Sequence, residues 1–396
     1  MRDMLLDDED RAFRAEVRDF LAHELLPRAS EIEEHDDWEA TKAVVAALGR
    51  AGYLKPMFRD LYRGSLKAPG VTHATILSEE SAAINYAFET TIATAVSCAY
   101  PLHRHASAAV RERYLTDIAE GRAVGAICVT EPGAGSDTSG LRTSITLDKS
   151  SNEYVISGSK RYISNAGVAD VYIVYGITDA KPPAGKGMSA IVVPSGTKGL
   201  SFPRRYTFMG RRGCVVGEVA LDQCRVPADH LLGEPNAGGR IMRGMFNFER
   251  IILGGSGLGV ARSAFAIAQA HAQCRDAFGD KLGAKQLIWN DIAEMSWRID
   301  AAELLTYRAA KLYDAGATAK ELMKPAAMAK LVSAETATFC ADRTVQILGG
   351  DGLTKEYGRA EQIYRDARAL PIVGGTSEIA KYLIAAADLP ALKPNL

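Results

Sequence analysis

The chain has 396 residues, with 47 basic side chains against 48 acidic ones and a composition that is 47% hydrophobic but only 7% aromatic. Balanced charge with no long run of one sign excludes the clustered basic face that binds nucleic acid, and no apolar run approaches the ~20 residues that span a bilayer. The start is acidic rather than secretory, and the length calls for two or three packed units.

Residues 1–124 read as a helical domain. Phe13, Val17, Phe20, Leu21 and Leu25 recur at helical spacing and give the first helix an apolar face. Further helices are predicted over 41–51, 72–87 and 108–119, with a break at Lys67-Ala68-Pro69-Gly70. From 125 to 238 the texture changes to short β-rich pieces at 153–157, 170–177, 188–193 and 217–221. Turns at 182–187 and at Pro194-Ser195-Gly196 separate them, the pattern of an antiparallel barrel or sandwich. From 239 to 396 long helical stretches return at 241–273, 286–315, 319–348 and 360–387, and Ile292, Met295, Ile299 and Ala302 mark an apolar stripe. Four long helices with short connections form a bundle. The fold class is α+β multi-domain: an N-terminal α-helical domain, a middle β-barrel domain and a C-terminal four-helix bundle.

The six cysteines are scattered with no C-x-x-C pair, so they are expected to be buried thiols in a reducing, cytoplasmic compartment. His103 and His105 stand two apart, which puts them on different faces of a helix, and no metal site is expected. Gly254-Gly255-Ser256-Gly257-Leu258-Gly259 imitates a dinucleotide fingerprint. Val260 replaces the third glycine and no strand precedes the run, so close helix packing is the better reading.

Two segments carry chemistry. Thr130-Glu131-Pro132-Gly133-Ala134-Gly135-Ser136-Asp137 offers backbone N–H groups and a hydroxyl to an anion, and lacks the lysine of a P-loop. Glu131 and Asp137 are read there as backbone anchors. Gly158-Ser159-Lys160-Arg161-Tyr162-Ile163-Ser164-Asn165-Ala166 follows, with a ring and a small hydroxyl two residues apart at a strand end. At this point the chain resembles the acyl-CoA dehydrogenase family of flavoproteins, from its first helix to residue 387. Met209-Gly210-Arg211-Arg212-Gly213, Arg225-Val226-Pro227, Arg275-Asp276-Ala277-Phe278-Gly279, Gln346-Ile347-Leu348-Gly349-Gly350-Asp351-Gly352 and Gly375-Thr376-Ser377-Glu378 then follow in the family's order.

The resemblance implies FAD and a homotetramer built as a pair of dimers. It places Thr130 at the flavin pyrimidine side, Ser136 at the pyrophosphate, Ser164 near flavin N5 and Tyr162 against the isoalloxazine. Tyr162 stands for the more usual tryptophan and Ser164 for threonine. Arg275 and Phe278 hold the adenosine end, while Gln286, Gln346, Gly349 and Gly350 close the site from a neighbouring subunit. Thr376 and Glu378 follow the same logic, and Asn247, Arg250 and Gly375 are the implied substrate contacts.

The family's catalytic glutamate often sits where this chain has Gly374. Glu249, in Phe246-Asn247-Phe248-Glu249-Arg250, matches the alternative base position of isovaleryl-CoA and long-chain members. Gly374 keeps a backbone N–H that can polarise a thioester carbonyl. The implied reaction is α,β-dehydrogenation of an acyl-CoA thioester, with Glu249 as base and an electron-transfer flavoprotein as acceptor. A carrier-protein-bound or biosynthetic acyl thioester, and an oxygen-using oxidase or monooxygenase on the same fold, are the alternatives. Phe58-Arg59-Asp60-Leu61-Tyr62-Arg63-Gly64-Ser65 departs from the family's usual substrate-side loop.

Overall fold

The computed structural model describes residues 5–55, 70–179, 187–389 and 391. The substrate-side stretch at 58–65, and the predicted turns at 67–70 and 182–187 apart from Gly70 and Gly187, lie outside those residues.

Six helices open the chain: α1 (Asp8–Glu24), α2 (Ala29–His35), α3 (Trp38–Ala51), α4 (Gly70–Ile84), α5 (Tyr86–His105) and α6 (Ala108–Ala119). Asp7 and Asp10 cap α1 reciprocally, each side chain accepting the other's backbone N–H. Val17 and Leu21 of its apolar stripe, with Leu25 just beyond it, are fully buried. The pattern read as one helix over 72–87 is two. Asn85 takes an extended backbone, and its side-chain oxygen accepts the Phe88 N–H at 2.9 Å, so it ends α4 and caps α5.

The middle of the chain forms one curled seven-stranded sheet: β1 (Gly125–Cys128), β2 (Ser144–Asp148), β3 (Glu153–Ser164), β4 (Val171–Ile177), β5 (Met188–Pro194), β6 (Leu200–Ser201) and β7 (Val216–Pro227). The order is β1-β4-β2-β3-β7-β6, with β5 added on β4. The sheet is mixed rather than wholly antiparallel, since β1 runs parallel to β4. β4 and β5 are buried on both faces, which is why they read as continuous apolar runs.

The remainder is helical: α7 (Gly238–Cys274), a small hairpin of β8 (Asp276–Ala277) and β9 (Asp280–Lys281), α8 (Gln286–Asp314), α9 (Ala319–Leu348), α10 (Ala360–Ala367) and α11 (Ser377–Asp388). The helix predicted over 360–387 is broken between α10 and α11. Pro371 has no N–H to donate, and Gly374 and Gly375 take φ of +64° and +98°, a hand that ends an α-helix.

Among the described residues, α7 is the one helix long and apolar enough to cross a bilayer, and its faces are taken up by α4, α5, α8 and α9. The glycine run inside it is where those helices come closest. A Cβ on Gly255 would stand 2.4 Å from the Thr75 carbonyl oxygen of α4, and one on Gly259 2.1 Å from that of Glu79. On Gly257 it would meet Ser333 of α9 at 2.8 Å. The same core extends into the rest of the molecule. Ile241, Met242 and Met245 of α7 share one apolar cluster with residues of α1, α3, α5, β4 and β5. All six cysteines are free thiols, five buried as expected and Cys274 exposed.

Candidate functional site

Where α5, the sheet and the bundle meet, they enclose a cavity of about 1150 Å³. One wall comes from the sheet. Glu131 anchors its first motif by accepting the Arg142 and Thr143 N–H groups, the Thr143 hydroxyl and the buried Lys160 ammonium at 2.6–3.0 Å. Asp137 accepts the Ser139 N–H at 2.9 Å. Both acids hold backbone, and Thr130, Gly135 and Ser136 are left facing the cavity.

The second motif is shaped by an irregularity in β3. Its register against β7 slips between Lys160 and Ile163, so three steps on β3 match two on β7. Such a bulge re-aims a side chain. Tyr162 sits in it at φ +57° and stands 53% exposed, an aromatic ring turned out onto the cavity wall. Tyr206 packs on it at 4.8 Å between centroids and Arg161 lies over it at 5.1 Å. Ser164, at the end of the strand, borders the same cavity.

The opposite wall is α7. Phe246, Glu249, Arg250 and Leu253 recur at helical spacing and share one face, and the first three line the cavity. Glu249 is half-buried because it borders that space. Burial pushes its carboxyl up to about 7, against the pull of Arg250 and Lys330. Burial likewise draws Arg250 down to about 10. Asn247 lines the cavity while donating to the Ala319 carbonyl at 2.8 Å, which ties α7 to the start of α9.

The turn between α10 and α11 completes the enclosure. Two buried cations grip it: Arg250 Nε donates to the Gly374 carbonyl at 3.2 Å, and Lys330 Nζ to the Gly375 carbonyl at 2.6 Å. Lys330 is drawn down to about 8, first by burial and then by the Arg250 charge. At Gly374 an added Cβ would meet Leu253 Cδ1 at 2.3 Å. Thr376 caps α11 by accepting the Ile379 N–H.

Of the residues singled out in the sequence, Thr130, Ser136, Tyr162, Ser164, Asn247, Glu249, Arg250, Gly374, Gly375 and Thr376 border this one cavity. Arg275, Phe278, Gln286, Gln346, Gly349, Gly350 and Glu378 do not. Phe278 is at the tip of the β8–β9 hairpin, 97% exposed with φ +54°. Gln286 begins α8, Gln346 is in the last turn of α9, and the two glycines open the 3₁₀ turn that follows it. Glu378 lines a smaller groove between α9 and the end of α10, with Thr376 shared between the two. Lys330 was not singled out, and Arg211 was named only within the Met209–Gly213 motif, with no role of its own. An ionisable residue among Ala326, Ala327, Ala329 and Ala334 on the inward face of α9 was the available signal for Lys330.

The sheet wall fits a flavin. Tyr162 offers a half-exposed ring, a Cβ on Gly133 or Gly135 would meet nothing within 4 Å, and Arg211 keeps a buried Nε without an acceptor. The rim of the cavity carries the exposed cations Arg240, Arg243, Lys320 and Arg368, a complement to phosphate groups.

Three family descriptions match the chain in order: "Acyl-CoA dehydrogenase, N-terminal domain" over residues 7–122, "middle domain" over 126–224 and "C-terminal domain" over 236–389. The mitochondrial isovaleryl-CoA dehydrogenase of Pongo abelii is 32% identical over 381 residues, covering 96% of this chain and 88% of that one. The structure of butyryl-CoA dehydrogenase from Megasphaera elsdenii superposes with a TM-score of 0.91 at 31% identity, covering 97% and 99% of the two chains. That of an acyl-CoA dehydrogenase complexed with FAD, from Bacillus anthracis, gives 0.90 at 26% identity, covering 97% and 67%.

Proposed function

Because the chain belongs to the acyl-CoA dehydrogenase family, FAD-dependent oxidoreductases acting on CH–CH groups, we propose that it introduces an α,β double bond into an acyl-CoA thioester with Glu249 as the base. When bound, FAD supplies the acceptor for the β-hydrogen and its electron pair. Thr130, Ser136, Tyr162 and Ser164 hold it on the sheet wall. The observation that carries this reading is the single cavity in which that wall faces Glu249.

Glu249 takes the α-proton. A carboxyl whose charge is disfavoured by burial is a stronger base than an open one, and closure around an apolar acyl chain strengthens it further. Arg250 and Lys330 fix the Gly374–Gly375 turn, and the Gly374 N–H is assigned to polarising the thioester carbonyl. Asn247, Arg250 and Gly375 contact the thioester arm. The four rim cations take the phosphates of CoA, which favours CoA over a carrier protein with its single phosphate. An electron-transfer flavoprotein reoxidises the enzyme. The six unpaired thiols fit a cytoplasmic place. The chain divides functionally at 124/125 and 238/239.

The residues outside the cavity act in a homotetramer. Phe278, Leu287 and Trp289 are exposed apolar groups beside Arg275 and Gln286, and Leu353 and Tyr357 are exposed beside Gly349 and Gly350. Trp289, Trp297 and Leu304 continue the stripe along one face of α8. A second copy covers this surface and receives Arg275, Phe278, Gln286, Gln346, Gly349, Gly350 and Glu378 at its own flavin. Phe278→Asp is expected to lower both the mass seen by light scattering and the FAD retained through gel filtration. An unchanged tetramer with full FAD counts against this placement.

Anaerobic titration of the yellow protein with straight, branched and aromatic acyl-CoAs tests the activity directly. Loss of flavin absorbance with at least one of them is expected. If none bleaches a fully FAD-loaded protein, the proposed reaction is wrong.

A further inference from the structure

The sheet wall also holds a buried cation that the reaction above leaves unused. Arg211 sits between β6 and β7 at φ +58° and is 7% exposed. Its turn is held firmly. A Cβ on Gly210 would come 2.5 Å from the Arg365 carbonyl carbon, and the Arg211 N–H donates to the Asp366 carboxylate at 2.5 Å. The guanidinium borders the cavity and lies near the Tyr86 and Phe208 rings, 5.8 and 5.9 Å from their centroids.

Its charge has no carboxylate within ion-pair distance among the described residues. Nη2 reaches the Ser164 hydroxyl at 3.4 Å and the Cys214 sulfur at 3.7 Å, both long contacts, and Nε has no acceptor. Among the described residues no ion pair includes Arg211. The carboxyl whose field it feels, Glu89, is bound by the Ser78 and Ser256 hydroxyls at 2.5 and 2.7 Å, and burial raises it to about 7. A buried charge without a partner is costly. Here it faces a space that something else occupies, and a strained non-glycine backbone at such a place points to function.

The assigned reaction moves charge across that space. The α C–H bond breaks with its proton going to Glu249, whose carboxylate becomes neutral. The β C–H bond breaks with its electron pair going with the hydrogen to the flavin, which gains one negative charge while the thioester stays neutral and gains its double bond. One unit of negative charge thus passes from the α7 wall to the sheet wall. Each wall carries one buried arginine, Arg250 beside Glu249 and Arg211 beside Ser164. We propose that Arg211 is the counter-charge for the reduced flavin, a positioning residue that raises the cofactor's reduction potential. The inference rests on the flavin occupying the Thr130–Ser164 wall.

The test uses FAD-loaded wild type, Arg211→Met and Arg211→Lys. FAD content is measured first, because a wild type that binds no FAD would overturn the functional assignment itself. The potential is then read by equilibration with a reference dye. Sulfite titration gives a second readout, since its adduct at flavin N5 also leaves the ring anionic. Arg211→Met is expected to disfavour reduction at least tenfold, about 30 mV for a two-electron couple, and to weaken sulfite at least tenfold. Arg211→Lys stays near wild type. If Met costs FAD binding, Arg211→Gln is compared with Lys in its place. FAD-loaded neutral variants with wild-type potential and sulfite affinity overturn the proposal. So does a defect confined to binding acyl-CoAs with a carboxylate at the far end of the chain, which would assign the cation to the acyl tail.

Discussion

Replacing Glu249 by Gln should disable the enzyme and stabilise the fold in the same stroke. The glutamine keeps the shape and removes the titrating group. Loss of a positioned base lowers the rate of flavin bleaching by about 10²–10⁴. The stability effect follows from the carboxyl at about 7 in the folded chain, against a reference of 4.5. A carboxyl raised by folding stabilises the native state fully below 4.5 and loses that contribution as pH rises through 7. Above pH 7 the wild type therefore carries a destabilising buried charge that Glu249→Gln lacks. At ~1.4 kcal/mol per pH unit of displacement the ceiling is about 3 kcal/mol; solvent reaching the half-buried carboxyl leaves about 1–2 kcal/mol. Thermal unfolding by flavin fluorescence should show the variant about 1–3 °C higher at pH 8, with the difference gone at pH 4. In the wild type, kcat/KM should fall to about a tenth of its plateau at pH 6, with unit slope below, where an ordinary carboxylate base would still be fully active. Wild-type bleaching by Glu249→Gln, or an acid limb centred near pH 4.5, would refute the reasoning.

Three further outcomes follow from packing and charge. Gly259→Ala gains about 1 kcal/mol of helix propensity, yet the Cβ meets the Glu79 carbonyl oxygen at 2.1 Å, so chemical denaturation should show a net loss of about 1–3 kcal/mol. Lys330→Met leaves the Gly375 carbonyl without its donor at about 1–3 kcal/mol. It also removes a charge that holds Glu249 down, so the acid limb of kcat/KM should move to higher pH; an unmoved limb would separate Lys330 from the base. Lys160→Met strands the Glu131 carboxylate, which lies 2.7 Å from the buried ammonium, at about 3–5 kcal/mol. Because folding lowers the Glu131 pKa, the melting-temperature loss should be full above pH 4.5 and shrink as pH falls through the folded value.

The residues proposed for the base and the flavin wall were reachable from the sequence through the family resemblance, and the structure brings them to the border of one cavity. Glycine and serine make a turn that presents N–H groups, and a glutamate on a helix face needs only its register. The long helices were equally visible, α7, α8 and α9 ending within a few residues of their predicted limits. The split after Ala367 was marked by Pro371 and two glycines, but a helical periodicity on either side concealed it. β1, β2 and β6, of four, five and two residues, were not read from the sequence. Lys330 and Arg211 belong to a different class. Their significance lies in what stands opposite them, the Gly375 carbonyl in one case and an Nε without an acceptor in the other. The alanines around Lys330 and the motif around Arg211 mark the segments, but nothing adjacent in the chain shows what either side chain faces.

The conformation at Gly374 also limits where a carboxylate can stand in this cavity. A carboxylate placed at that position would need an L-residue at φ +64° and would press on Leu253, one turn along from Glu249. Neither the turn nor Leu253 can yield first without loosening the cavity, and a carboxylate at each end would repel its twin. With glycine holding this turn, the carboxylate that borders the cavity from the bundle side is the one α7 carries.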